Sequence, residues 1–350
     1  MNRKNILVCN VQVPFVRGGA EILIDELCSH IKQRGHNAEV ISIPFFWEPR
    51  TELLRSALVW RLLDLTKYCY QLIDLVIATK YPSYCINHPN KVTWLFHQHR
   101  DIYDLWDRGR SSFDPDNAQD ILIREEIMAL DDECIGGSKA VYTIAKNVSA
   151  RLKKYNDIDS KPLYTPSRLF PVLRSSDYGD FLFTVSRLEV NKRIDLIISA
   201  YARSSRKYKL VIAGRGPQED NLRALARGLQ VDDRIVFAGY IDDEQLIDYY
   251  ATCRAVVFVP DDEDYGYVTL EAMKSRRPVL TMADSGGVLE FVRDGENGMI
   301  ASDEDALSRS MTEVMAMPGD KLKKLGAAAE QTVADISWDL VLDNLLGVIA

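Results

Sequence analysis

The sequence predicts an α/β fold made of two doubly wound, parallel-sheet domains. Three observations carry this. Short apolar runs alternate with amphipathic stretches along nearly the whole chain, and that alternation lays strands in parallel with right-handed crossovers. The rhythm dissolves between about Asn156 and Gly179, where Pro162, Pro166 and Pro171 interrupt a polar stretch, and then restarts. The length, 350 residues, exceeds one ordinary core and suits two domains. The boundaries are expected at 1–165 and 166–337.

Composition narrows the class. With 47% apolar and 27% charged residues the chain reads as soluble and globular. A net charge of −8 argues against general nucleic-acid binding, which relies on a basic face. Cys9, Cys28, Cys69, Cys85, Cys134 and Cys253 are scattered without a C-x-x-C pair, so they are expected as buried free thiols in a reducing, cytoplasmic compartment. The basic N-terminus leads into an apolar run that stops at Cys9, too short for a signal peptide. No stretch approaches the ~18 apolar residues of a membrane span.

In chain order, Ile6 to Cys9 is a strand, the segment from Ala20 to Arg34 a helix ended by Gly35, and Ala38 to Ile43 the next strand. Thr51 to Lys67 reads as a strongly apolar helix interleaved with arginines. It is either a core helix or one that docks on an anionic membrane surface. Strands follow at 74–79 and 91–96, the second ending on His97-Gln98-His99. A loop with Tyr103, Trp106, Arg108, Arg110 and Phe113 precedes a helix over 116–130. A short strand is expected at Glu133 to Ser138, with Ser138 capping the next helix. In the second domain, strands are expected at 181–186, 209–213, 234–237, 255–259 and 278–281. Helices are expected to start near Lys192, Pro217, Asp243, Gly266 and Asp303, and a last helix spans about 337–349.

The chemistry concentrates in loops at the carboxyl ends of the second domain's strands, where open α/β sheets bind ligands. Glu263-Asp264-Tyr265-Gly266-Tyr267-Val268-Thr269-Leu270-Glu271 places two carboxylates around a glycine turn at a helix start. The helix N-terminus suits a phosphate, and carboxylates accept hydrogen bonds from sugar hydroxyls. Arg187 and Lys192, after the domain's first strand, are placed to reach one diphosphate. Gly214-Arg215-Gly216, Gly239-Tyr240 and Asp284-Ser285-Gly286-Gly287 follow the other strands.

The Glu263-x7-Glu271 spacing, with Arg187, Lys192 and Gly18-Gly19, resembles the retaining GT-B glycosyltransferases of family 4. The resemblance covers nearly the whole chain, and its C-terminal half is the specific part. It implies two Rossmann-like domains, with a final helix over 338–350 crossing back to the first. It implies a nucleotide-diphosphate-sugar donor, a glycan or lipid-linked acceptor, and work in cell-surface polysaccharide assembly. Arg187 and Lys192 would neutralise the diphosphate, Glu271 would bind the ribose, and Glu263 would face the donor sugar. Backbone N–H groups of Tyr265, Gly266, Tyr267 and Val268 would lie near sugar and phosphates, and Gly214 and Tyr240 near the base. Gly18 and Gly19 would let the first domain's loop close on the diphosphate. His97 or His99 would face the transferred sugar, with His97 favoured because it lies closer to the strand end. Retention without an evident protein nucleophile implies front-face attack.

Three positions depart from the family pattern. Arg193 stands where glycine usually follows the lysine, Tyr265 replaces the commoner Phe, and the usual Asn-Gly turn is absent around Thr165-Pro166-Ser167. Asp262 and Asp264 form an Asp-x-Asp, which in another glycosyltransferase fold holds a divalent metal. Two βα domains and a basic pair weigh against that, so no metal and no cofactor are expected. The alternatives are a non-catalytic nucleotide-sugar binder or an NAD(P)-dependent oxidoreductase. The latter is disfavoured because no G-x-G-x-x-G follows Cys9.

Overall fold

The computed structural model describes residues 3–15, 18–68, 70–205 and 208–349. Cys69, and Ala350 at the end of the expected final helix, lie outside them. The chain divides into two compact units, Met1–Thr165 with Ser337–Ala350, and Pro166–Ile336. The final helix is therefore part of the first unit.

The first unit runs β1 (Asn5–Gln12), α1 (Gly19–Gln33), β2 (Asn37–Pro44), α2 (Thr51–Leu62), a small hairpin β3 (Lys67–Tyr68) and β4 (Gln71–Leu72), and β5 (Leu75–Lys80). It continues with β6 (Lys91–His97), α3 (Asp104–Asp107), α4 (Ala118–Gly136), β7 (Ala140–Thr143), α5 (Lys146–Asn156) and β8 (Lys161–Pro162). Its sheet has the order β2-β1-β5-β6-β7-β8, parallel throughout. β5 and the body of β6 are buried on both faces, which is why apolar residues dominate them.

The second unit runs β9 (Phe181–Val185), α6 (Ile194–Arg203), β10 (Lys209–Ala213), α7 (Glu219–Gly228), β11 (Ile235–Gly239), α8 (Asp243–Thr252), β12 (Ala255–Val257) and α9 (Tyr267–Lys274). β13 (Val279–Met282), β14 (Gly298–Ala301), α10 (Glu304–Ala316) and α11 (Gly319–Thr332) complete it, and α12 (Trp338–Leu346) follows. The parallel order is β11-β10-β9-β12-β13-β14. The winding reverses between β9 and β12, so the crevice outside their carboxyl ends is the expected binding place. Its core packs Ile197, Ile198 and Tyr201 of α6 and Leu307 and Met311 of α10 with sheet residues such as Leu182, Val257 and Leu280.

α12 is held by charge and stacking. Ser337 caps it through Leu340 N–H at 3.4 Å. Arg34, just after α1, bonds the Asp339 carboxylate at 2.7 Å and also pairs with Asp343, and His30 stacks on Trp338 at 4.8 Å.

Several expectations are corrected. Glu133 to Ser138 is not a strand: Glu133 to Gly136 complete α4, and Gly137 N–H returns to Glu133 C=O at 3.0 Å. Ser138 caps no helix; its hydroxyl meets Thr93 Oγ1 at 2.8 Å, and α5 begins at Lys146 behind an extended Ala145. α2 stops at Leu62 rather than Lys67, because Leu63 turns extended and the chain enters the hairpin. β14 and α11 were not anticipated. β14 is a four-residue strand behind the polar turn Asp294 to Asn297, where Asn297 accepts from Arg293 N–H at 2.7 Å and donates to Phe291 C=O at 2.9 Å.

α2 buries Leu53, Ala57 and Trp60 and exposes Leu58, Val59 and Leu62. Its arginines are engaged, Arg55 with Glu52 and Arg61 with Glu133. Cys9, Cys28, Cys85, Cys134 and Cys253 are buried and free. Among the described residues no helix is long and apolar enough to cross a membrane.

Candidate active site

The loop after β9 and the loop after β12 meet at the reversal point of the second sheet. The first forms a single 3₁₀ turn, Val190–Lys192, and the second runs from Phe258 to Gly266 before α9 starts. Asp261 N–H donates to Asn191 C=O at 2.8 Å and ties them together. Lys192 then pairs with Glu263, and its ammonium lies 5.9 Å from the centre of the Phe258 ring. Both side chains keep partial access to solvent, 14% and 21%. The result is one cation and one carboxylate side by side at the mouth of a helix N-terminus.

A third loop, after β13, supports the second. Asp262 N–H donates to Asp284 C=O at 3.1 Å, Glu263 N–H to Ser285 C=O at 3.3 Å, and Gly287 N–H to Glu263 C=O at 2.7 Å. Gly266 opens α9 at φ 79, a left-handed conformation in which a side chain is strained. A Cβ there would stand 3.0 Å from the Phe258 ring and 3.4 Å from Glu263 Cγ. Tyr265 is buried edge-on between Tyr267 and Phe291, at 5.3 and 5.8 Å. Its phenyl ring thus packs, consistent with Tyr standing in for Phe. Tyr267 and Val268 form the first turn of α9, whose N–H groups have no acceptor within the helix.

Glu271 is buried one turn further along α9. Ser167 Oγ donates to one carboxylate oxygen at 2.5 Å and Tyr250 OH to the other at 3.0 Å. Burial raises its pKa above the ordinary 4.5, and these two donors oppose the rise. Ser167 lies in the stretch where the family's Asn-Gly turn is missing. Sequence reasoning counted it a departure and missed that its hydroxyl orients Glu271.

Arg187 lies on the same loop as Lys192. It is 65% exposed and pairs with Glu189 at 2.8 Å. Gly214 is explained by packing: a Cβ would lie 1.8 Å from Ser186 C=O, and φ is 119. Leu188 N–H to Arg215 C=O (2.9 Å) and Gly214 N–H to Gly239 C=O (2.7 Å) lace the three loops together. Tyr240, on the last of these, is largely exposed.

In the first unit, Gly18 precedes α1 and its N–H donates to Glu21 Oε2 at 2.8 Å. Glu21 also accepts from Lys80 at 2.9 Å. Burial works against the Glu21 carboxylate, yet Lys80 and the Gly18 N–H hold its pKa below the usual range. Gly19 borders open space. His97 ends β6 with Nδ1 2.9 Å from Gln98 C=O. His99 instead packs against Phe45, Tyr81 and Phe113, at 6.4, 5.8 and 6.4 Å, and burial pushes its pKa down to about 4.

The loop from Arg100 to Phe113 looked suited to stacking on a sugar, or equally to packing. Its aromatic residues pack, while Arg108 and Arg110 are exposed. Tyr103 is buried and bonds Asp131 at 2.7 Å, Trp106 lies under Arg124, and Phe113 under Arg50. Among the described residues no group of three His, Cys, Asp or Glu is placed to hold a metal ion.

This architecture is the GT-B fold. Over 98% of both chains it matches sucrose-phosphate synthase from Thermosynechococcus elongatus, with TM-score 0.76 and 17% identity. It matches Anabaena HepE in complex with UDP-glucose over 98% of this chain and 99% of that one, with TM-score 0.69 and 15% identity. Residues 168–332 match the model of the family described as glycosyl transferases group 1. Among curated relatives, a diphospho-undecaprenol-directed 4-alpha-N-acetylgalactosaminyltransferase of Campylobacter jejuni is 29% identical over 144 residues, 41% of this chain and 39% of that protein. The chain spans less than half the length of the curated relatives it matches first.

Proposed function

We propose that the chain is a retaining glycosyltransferase that moves a sugar from a nucleotide-diphosphate sugar to a glycan or lipid-linked acceptor in polysaccharide assembly. The observation that carries this is the Lys192–Glu263 pair at the reversal point of the second sheet, inside the segment that matches the family. Breaking the sugar–phosphate bond builds negative charge on the diphosphate and positive charge on the sugar. Lys192 and the α9 N-terminus stabilise the first, and Glu263 the second. Arg187, on its exposed loop, would have to exchange Glu189 for the diphosphate. Glu271 reads the ribose hydroxyls, Gly214 and Tyr240 border the base, and Gly18, Gly19 and His97 act from the first unit. The reaction runs on the front face and without a metal: the leaving phosphate takes the acceptor's proton.

Support for a UDP-type donor comes from HepE, whose solved complex holds UDP-glucose. Support for a lipid-linked acceptor comes from the Campylobacter relative's name. The exposed Leu58, Val59 and Leu62 of α2 fit a cytoplasmic protein that rests on a membrane face. Calorimetry with UDP-, GDP-, ADP- and dTDP-sugars, beside Glu263→Ala and Lys192→Ala, tests the assignment. Binding of none of them by the parent sinks it. Flotation with anionic vesicles tests the membrane reading, and a chain that stays with the unbound fraction at low salt removes it.

A further inference from the structure

Arg193 follows Lys192 directly, in a left-handed backbone conformation at φ 51 and ψ 42. Asp262, which precedes Glu263, is left-handed too, at φ 48. Residues with side chains seldom adopt this region, and they persist there only where surrounding contacts hold them. The contacts at Arg193 are explicit. Its Nε donates to Val259 C=O at 2.7 Å, and Nη2 donates to Pro260 C=O at 2.6 Å. Nη1 and Nη2 grip the Asp284 carboxylate at 2.8 and 2.7 Å. One guanidinium therefore joins three loops: its own after β9, the Glu263 loop after β12, and the glycine-containing loop after β13. A lysine could not span these acceptors, because it lacks the planar fork.

We infer that Arg193 is a positioning residue. Its clamp on Val259, Pro260 and Asp284 sets the height of the Glu263 carboxylate beside Lys192, and so governs the hold on the transferred sugar rather than on the nucleotide. This rests on the proposed nucleotide-sugar function. Clamp and function are separable, because the first is legible in the protein without ligand. Loss of the clamp leaves Lys192 and α9 in place for a diphosphate and loosens the loop that carries Glu263.

The experiment uses the full chain with Arg193→Gly and Arg193→Lys. Glycine accepts the left-handed turn, so the backbone path survives while the clamp is lost. In the unliganded protein, the amides of Glu263 and Gly287, which cross between the two loops, are expected to exchange hydrogen at least about tenfold faster in Arg193→Gly. Those of Phe183 and Val257 in the sheet stay unchanged, and Arg193→Lys falls between. Exchange at Glu263 and Gly287 equal to the parent overturns the clamp whatever the function. In the second arm, the nucleoside diphosphate that the parent binds, from UDP, GDP, ADP and dTDP, keeps its affinity within about twofold. Turnover of the matching sugar nucleotide drops at least about tenfold. Equal losses on both overturn the positioning role. A parent that binds none of the four strikes the proposed function, while the exchange arm still decides the clamp.

Discussion

Lys192 and Glu263 stand 71 positions apart and form one ion pair where β9 and β12 lie side by side. Neither lies on a regular element long enough to fix it. What fixes them is the lacing of their two loops, through Asp261 to Asn191 and through Arg193 to Val259 and Pro260. The pair holds a carboxylate beside a cation; under the proposed function a diphosphate would compete for Lys192 and leave Glu263 to the sugar.

That exchange gives the first prediction. Lys192→Met and Glu263→Gln each strand a partly buried partner and are expected to cost about 1–3 kcal/mol of stability. The double substitution recovers most of that loss, because no charge is left unpaired. Activity does not recover: single and double variants all fall about a hundredfold or more in kcat/KM. Denaturant unfolding and steady-state kinetics on the same four proteins check this. Rescue of activity in the double variant would make the pair structural.

Glu271 is expected to separate stability from binding. Glutamine keeps one acceptor for Tyr250 and can donate to Ser167, while the burial of a charge disappears. Glu271→Gln therefore unfolds at the parent's temperature or above it at pH 8, yet binds nucleotide about tenfold or more weakly, since a charge-assisted bond to a hydroxyl is lost. Thermal unfolding and calorimetry decide. Lowered stability with intact binding would contradict the ribose role.

The fold was legible because its signals are local and repeated. Apolar runs such as Leu210 to Ala213 are buried parallel strands, and Asp242 and Asp303 cap the helices behind them. Errors arose where context overrides local pattern. Glu133 to Gly136 could be strand or helix on periodicity alone, and they continue the helix that Asn117 caps at its far end. The site was legible as residue types in loops, but its partnerships were not. Ser167 on Glu271 and Arg193 on Asp284 each join residues about a hundred positions apart, and no sequence spacing reports such contacts.

The two histidines of His97-Gln98-His99 are expected to part company. His99 fills an aromatic pocket and stays neutral above about pH 4, so His99→Ala costs about 2–4 kcal/mol of stability through lost packing. His97 stands half-buried at the strand end, with Nδ1 2.9 Å from the Gln98 carbonyl. His97→Ala is expected to cost less stability than His99→Ala and to lower kcat about tenfold or more. Unfolding and kinetics side by side separate them, and a reversed pattern would move the catalytic assignment to His99.

Asp131 gives the chain a pH signature independent of the site. It is fully buried, with Tyr84 and Tyr103 hydroxyls donating at 2.7 Å each. Burial raises its pKa from 3.8 to about 7, although the two tyrosines oppose the rise. An acid raised in this way keeps its proton in the folded chain over a range where the unfolded chain has lost it. Its contribution to stability is complete below pH 3.8, declines above that, and is gone once the pH has risen through about 7. Asp131→Asn removes this titration, so the difference between parent and variant isolates it from all other groups. Between pH 5 and 7 the parent is expected to lose stability relative to the variant by up to about 1.4 kcal/mol per pH unit. Tyr103→Phe takes away one donor to the carboxylate, moves the folded value further up, and extends the slope above pH 7. Urea unfolding at half-unit intervals from pH 5 to 8.5 measures both effects. A flat parent-minus-variant difference would mean that Asp131 titrates in the folded chain as it does in the unfolded one.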